Sequence, residues 1–324
     1  MFLVNLEKQL QGELNKVLNH EEELWVMKSR INWMIQGDRN TSFFHVSTIV
    51  RRKHNKIFSI KNTQGDWISE QSAVMDFIQN HFRNLFSSEM LFSSRHAPPT
   101  AANLPHLSVS DVQALSLPVL DEEIKNALWS LKPFKSLGPD GIHAGFYQRF
   151  WLLVKDSVTK EIKEVFNERK VPAYLNQTHI TLIPKIKGPE TIGNYRLISL
   201  CNSVYKIISK IIVTRIRPCL DSLVSPFQTA FVSGRKEVDN AIIAQETIHT
   251  VGRKRGKVGN MVIKIDLEKA YDRLEWSFIR DVLQAANFPS DMVQLIMSCG
   301  SSSTASILVN GGALDSFLPS RGTR

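Results

Sequence analysis

Residues 261–276, MVIKIDLEKAYDRLEW, decide how the rest of the chain is read. They open with an apolar run, Met261, Val262, Ile263 and Ile265, interrupted only by Lys264. A short run of this kind reads as a β-strand, so a strand is expected over 261–266 with Asp266 at its carboxyl end. Side chains alternate across a strand, which turns Asp266 away from the face that Ile263 and Ile265 give to the core. A helix is expected to follow at once, burying Leu274, Phe278, Val282 and Leu283 at helical spacing. Two roles are open to Asp266. Hard cations take oxygen ligands, so the carboxylate can hold a divalent ion. Aspartate is also a favoured helix N-cap.

The chain has 324 residues, 43% of them hydrophobic, and a net charge of +9 with histidine neutral. That length suits two or three domains with cores of their own. The basic balance points to an acidic partner, of which nucleic acid is the commonest. Cys201, Cys219 and Cys299 show no metal-binding or redox spacing and read as reduced, buried thiols of a reducing compartment. No apolar run reaches the roughly 18 residues of a membrane helix. Charges follow Met1 too early for a signal peptide. Neither a membrane partner nor secretion is expected.

Upstream of the central stretch, residues 5–28 place Leu6, Leu10, Leu14, Val17, Leu18 and Leu24 on one side of a helix. That side docks on its own chain or meets a partner helix. After a break at 37–40, a second helix over 41–52 ends in Arg51, Arg52 and Lys53, with Phe43, Phe44, Phe58 and Trp67 nearby in sequence. Basic side chains neutralise phosphates and aromatics stack on unpaired bases. A cationic helix end is also what the macrodipole favours. A small hairpin around Gln64-Gly65 and a helix over 72–86 complete a helical region, 1–86. Residues 87–108, rich in Ser, Pro and Ala, read as a linker, and 109–324 as the following domain.

In that domain KSLGPDG, 135–141, forces a tight irregular loop between helices. HITLIPK, 179–185, and YRLISL, 195–200, read as a hairpin presenting Lys185 and Arg196. Two such cations suit a triphosphate or guard an exposed sheet edge. A helix over 203–217 carries Val204, Ile207, Ile208, Ile211 and Ile212 on one face and stops at Pro218. QTAFVSGR, 228–235, reads as a short extended segment with a glycine turn, followed by a helix over 238–251. Arg253, Lys254 and Arg255 form a basic loop ahead of the central stretch, either a nucleic-acid contact or a solvated turn. A helix over 290–297 precedes a strand over 303–309, and Asn310-Gly311 is a strong hairpin signal.

Taken in order, KSLGPDG, LIPK, NYRLISLCNSVYKIISK, QTAFVSGR, KIDLEKAYDRLEW, VNGG and SRGTR resemble the reverse transcriptase of plant LINE-type retrotransposons, which lack long terminal repeats. WMIQGDRNTSFFHVSTIVRRKHNKI resembles the region these proteins carry between an endonuclease and the polymerase. The resemblance implies an α/β (α+β) right-hand fold, fingers and a partial palm, behind a helical N-terminal region. It implies that Asp266 is the first palm carboxylate and holds Mg2+ together with the backbone carbonyl of Leu267. By the same resemblance Tyr271 blocks a ribose 2′-hydroxyl, while Lys185 and Arg196 grip the incoming deoxynucleoside triphosphate. Gly234 and Arg235 match a turn near the template, and Asp272 is structural. The implied partners are an RNA template and a DNA primer, in the nucleus or cytoplasm. Nothing in it bears on oligomeric state.

The chain departs from the family pattern at Leu137 and Leu197, where proline is usual. In the family SRGTR runs into a QGDP segment, and an aromatic-Ala-Asp-Asp strand later supplies the remaining metal-binding aspartates. Residues 1–324 hold neither. The expectation is therefore a fragment of a reverse transcriptase, inactive by itself. The alternative is a non-catalytic, nucleic-acid-binding remnant.

Overall fold

The computed structural model describes residues 2–29, 41–88, 105–254 and 259–323. Its elements begin with α1 (Phe2–Ser29), α2 (Thr41–Asn55), the short strands β1 (Ile60–Lys61) and β2 (Trp67–Ile68), and α3 (Gln71–Leu85). Four helices follow: α4 (Val109–Leu115), α5 (Asp121–Ser130), α6 (Ala144–Arg149) and α7 (Trp151–Glu168). Then come β3 (Gln177–Pro184), β4 (Tyr195–Cys201), α8 (Ser203–Ile216), α9 (Leu220–Leu223) and α10 (Glu237–Arg253). The last are α11 (Trp276–Ala285), α12 (Ser290–Ser301), β5 (Thr304–Val309) and β6 (Gly312–Ala313). This is the mixed helix-and-sheet class that the sequence implies. Two compact units interleave along the chain, one from residues 1–77, 181–198 and 308–314, the other from 78–180, 199–307 and 315–324.

The core of the larger unit is built around α8. Eight of its 14 residues are β-branched, which lowers intrinsic helix propensity. Burial wins over propensity here. Val204, Ile207, Ile208, Ile211 and Ile212 are all buried, in one cluster with Ile124 and Leu128 of α5, Ile162 of α7 and Leu295 of α12. Each such side chain contributes on the order of 1.5–3 kcal/mol of transfer free energy, far more than a few tenths lost per residue to propensity. The four-stranded sheet has the order β4-β3-β5-β6. β3 and β5 alternate buried and partly open residues, as strands with one covered face do. β5 and β6 are antiparallel, and Asn310 and Gly311 turn between them at φ 53° and 92°.

Asn202, fully buried between β4 and α8, fastens the KSLGPDG loop to the larger unit. Its Oδ1 accepts from the Asp140 N–H at 3.1 Å, and its Nδ2 donates to the Tyr174 and Leu175 carbonyls at 3.1 and 3.3 Å. Ser203 donates to the Ile142 carbonyl at 2.8 Å and Lys206 to that of Ser136 at 3.1 Å. Gly138 lies so close that a Cβ there would stand 2.5 Å from Asn202 N, Asn202 Oδ1 and the Cys201 carbonyl carbon.

In the smaller unit α1 and α2 meet through an edge-to-face contact between Trp25 and His45, 4.4 Å between ring centres. β1 and β2 form the hairpin expected around Gly65, which has φ 96°. Lys61 ties this hairpin to the β3–β4 connection: its N–H donates to the Glu190 carbonyl at 2.7 Å, and its Nζ pairs with the Glu190 carboxylate at 2.5 Å. Asn310 uses its whole side-chain amide on one residue. Its Oδ1 accepts from the Ile57 N–H and its Nδ2 donates to the Ile57 carbonyl, both at 2.8 Å, as a neighbouring strand would.

Several expectations are corrected. Residues 259–267 are neither strand nor helix but exposed irregular chain, with Met261, Val262, Ile263 and Ile265 all open. None of the described strands pairs with them. A strand exists only where a partner takes its backbone groups, so apolar residues alone do not make one. The helix does not start after Asp266 either. A left-handed Lys269 leads into a 3-10 turn over Ala270–Arg273, and α11 begins at Trp276 behind Glu275. Asp266 therefore caps no helix. Leu6, Leu10, Leu14, Val17, Leu18 and Leu24 of α1 are exposed rather than docked. Within 228–235 the glycine turn is present, with Gly234 at φ 82°, but no strand forms. After the KSLGPDG loop the helical chain breaks at Phe150 into α6 and α7. The break expected at 37–40, Arg255 and most of the linker lie outside the described residues. All three cysteines are free thiols. Among the described residues no helix is long and apolar enough to cross a membrane.

Candidate nucleotide and nucleic-acid interface

Two of the ordered motifs meet in the larger unit. The backbone of SRGTR lies along the AYDRLEW turn: Gly322 N–H donates to the Leu274 carbonyl and Thr323 N–H to that of Tyr271, both at 2.8 Å. Trp276 adds a bond in the other direction, its Nε1 donating to the Gly322 carbonyl at 2.8 Å. Arg321 pairs with Glu275 at 3.5 Å, both side chains largely covered, and its Nε donates to the Leu85 carbonyl at 2.9 Å. Gly322 has φ 90°, and a Cβ on it would sit 2.7 Å from the Asp272 carbonyl oxygen. Only glycine fits a backbone this close and in this conformation. Sequence reading places these motifs in order without placing them together.

On this turn Tyr271 is exposed, with its ring edge-to-face on Phe231, 6.2 Å between centres. Phe231 carries no chemistry of its own and does not stand out in the sequence; its positive φ of 67° is what marks it. Asp266 and Leu267 are exposed ahead of the turn. The Asp266 carboxylate makes no hydrogen bond or ion pair among the described residues, and among them no three His, Cys, Asp or Glu side chains gather to hold a metal. Asp266 thus fits as one ligand of a hard cation and does not by itself make a site for two. Asp272 is half-buried, and that burial raises its carboxyl above the usual range while Lys269 opposes the shift.

Lys185 and Arg196 belong to the smaller unit. Both are exposed at the ends of β3 and β4. Lys185 Nζ donates to the Gly193 carbonyl at 3.0 Å, which among the described residues leaves two of its three donors open. Arg196 makes no side-chain hydrogen bond among the described residues. Arg235 is differently placed: its guanidinium donates to the carbonyls of Ser225, Gln228 and Val224 and pairs with Asp221 at 3.2 Å. It clasps the 221–228 loop. Arg52 and Lys53 stand exposed in the last turn of α2, while Arg51 donates to the Lys28 carbonyl. Arg253 and Lys254 are exposed at the end of α10.

His81 of α3 escapes sequence reading, as a lone histidine on a helix gives no signal. Its Nε2 lies 3.5 Å from Lys269 Nζ. Burial, and then the Lys269 charge, hold its imidazole below the ordinary value of 6.5. The unfolded chain therefore takes up a proton first as pH falls, and stability should drop from about pH 6.5 downward. His81→Gln is expected to flatten that part of the profile, read as the urea midpoint from about pH 8 to about pH 5. An unchanged slope would remove His81 from the balance.

Residues 183–323 match the family of reverse transcriptases, RNA-dependent DNA polymerases. Across 92% of its length the chain is 25% identical to the transposon TX1 uncharacterized 149 kDa protein of Xenopus laevis, of which it covers 23%. Over 65% of its length it is 23% identical to the RNA-directed DNA polymerase from mobile element jockey of Drosophila funebris, covering 23% of that protein. Over 62% it is 26% identical to the Pol polyprotein from type-1 retrotransposable element R2 of Bradysia coprophila, covering 21%. The chain spans less than a quarter of the length of these curated relatives.

Proposed function

Because residues 183–323 carry a reverse transcriptase domain of the kind found in retrotransposons without long terminal repeats, we propose that the chain is the fingers and part of the palm of an RNA-directed DNA polymerase. Its substrates are an RNA template, a DNA primer and deoxynucleoside triphosphates. The observation that carries this reading is the seating of SRGTR on the AYDRLEW turn, which leaves Asp266 and Tyr271 exposed on one short segment. Reverse transcriptases as a family depend on a metal ion. Magnesium is the proposed one, with the Asp266 carboxylate and the Leu267 carbonyl among its ligands, since Mg2+ is bound by few carboxylates and by substrate phosphates. When bound, it neutralises charge on the reacting phosphate.

The chain's own residues have separate tasks. The open donors of Lys185 and the guanidinium of Arg196 neutralise the triphosphate. The Tyr271 ring closes the space beside the sugar, where a 2′-hydroxyl would clash. Arg51, Arg52, Lys53, Arg253, Lys254 and Arg255 bind phosphates of the nucleic acid. Arg235 shapes the template-side turn from within. Residues 1–86 form the region upstream of the polymerase, 87–108 the linker and 109–324 the polymerase segment itself.

Sugar selection tests the reading. The assay uses a chimera that joins residues 1–324 to the region following the matching segment of the jockey polymerase. Tyr271→Val is expected to raise ribonucleotide incorporation by about a hundredfold relative to deoxynucleotide, the scale of a single steric clash relieved. Unchanged discrimination would reduce Tyr271 to a packing partner of Phe231.

A further inference from the structure

The smaller unit carries exposed aromatic rings, Phe58 and Trp67, to which the polymerase reading gives no task. Residues 51–67 and 181–198 hold eight Lys and Arg side chains against Asp66 and Glu190, a net of +6 with histidine neutral. These two segments are joined: Lys61 bridges to Thr191, and its Nζ pairs with Glu190. Of the aromatics near this charge, Phe44 is buried and belongs to the packing of α2. Phe58 and Trp67 do not. They are 57% and 51% exposed, and each has a lysine beside its ring, Lys56 Nζ at 4.8 Å from the Phe58 centre and Lys61 Nζ at 4.9 Å from that of Trp67.

In a purely structural hairpin an exposed ring gains only the weak attraction of its lysine contact. An exposed ring within 5 Å of a cation presents a plane to a base and a charge to its phosphate. Duplex DNA or RNA hides its base faces, so the pairing of plane and charge selects unpaired strands. We propose that the β1–β2 hairpin, with Phe58 ahead of it, is a stacking surface for single-stranded nucleic acid, and that Lys53, Lys56 and Lys187 carry the strand's phosphates past it. The inference rests on the nucleic-acid reading above for the class of partner; of the nucleotide-site residues, Lys185 and Arg196 enter only the count of charge.

The test uses the full chain and a fluorescein-labelled oligouridylate, read by anisotropy. Phe58→Ala and Trp67→Ala are each expected to weaken binding about tenfold, and together about a hundredfold, with the salt dependence unchanged. Trp67→Phe should keep most of the affinity and Trp67→Leu should not. Lys53→Gln with Lys56→Gln should instead reduce the salt slope by roughly 0.7 for each phosphate no longer neutralised. Binding of the strand should quench the fluorescence that Trp67→Phe removes, a readout independent of any variant's stability. Affinity of the double aromatic variant within about twofold of the parent, or an equal loss toward a duplex or toward polyglutamate, would overturn the stacking surface. Failure here would leave primer extension by the chimera, and its dependence on Asp266, as expected, so failure here and failure of the polymerase reading are separately visible.

Discussion

Asp266→Asn is expected to lower primer extension by the jockey chimera by about three orders of magnitude, the scale on which a single electrostatic element at a reacting centre acts. The amide keeps the shape of the side chain and loses its charge. No ready-made ligand set can replace it, because among the described residues no three acidic, histidine or cysteine side chains gather to hold a metal. The same isolation sets the result for residues 1–324 made alone. Two-metal phosphoryl transfer needs ions roughly 3.5–4 Å apart, and one exposed carboxylate does not hold such a pair against water. That polypeptide is expected to extend no primer with magnesium and deoxynucleotides, while still binding single strands. Extension is measured as product length on an RNA template. Activity of the chimera that ignores Asp266→Asn would place the active site elsewhere.

Gly138→Ala is expected to cost about 3 kcal/mol or more of stability. The added methyl would stand 2.5 Å from backbone and side-chain atoms of Asn202 and from the Cys201 carbonyl carbon. Overpacking in a core costs about 1–3 kcal/mol when side chains can adjust. Two of these three atoms are backbone, and the third belongs to the side chain that holds the loop. Moving the loop away releases Asn202 Oδ1 from Asp140, and each buried polar group left unsatisfied adds about 1–3 kcal/mol. Gly141 makes the control. A Cβ there meets open space, but φ is 68°, so Gly141→Ala carries only the left-handed penalty of about 1–2 kcal/mol. Urea midpoints that rank Gly141→Ala as the more damaging of the two would show that Asn202 does not fasten the loop.

What is legible in the sequence is local. The stripe of Ile207, Ile208, Ile211 and Ile212 announces a buried helix, and Asn310-Gly311 a hairpin turn, because periodicity and turn chemistry act over a few residues. The 261–266 stretch defeats the same logic. Its apolar residues suit a strand, but a strand is a relation between two segments, and none of the described strands pairs with it. Asn202 is silent in sequence for a similar reason: its partners Asp140 and Tyr174 lie far away along the chain. Arg235, matched by resemblance to a turn near the template, is held by the 221–228 loop through bonds that its sequence position does not announce. Lys185 and Arg196 stand at strand ends, where alternation and turn position put them.

The double hydrogen bond between Asn310 and Ile57 spans 253 positions of the chain. Ribosomes add roughly 5–20 residues per second, so Ile57 is made roughly 10–50 s before the residue that holds it. During that interval the start of the hairpin lacks this anchor, and Phe58 beside it is open to solvent and to chaperones. Translation speed over the intervening codons therefore sets how long this segment stays exposed to aggregation, and slowing it should lower the soluble yield of the chain more than slowing the codons before Ile57.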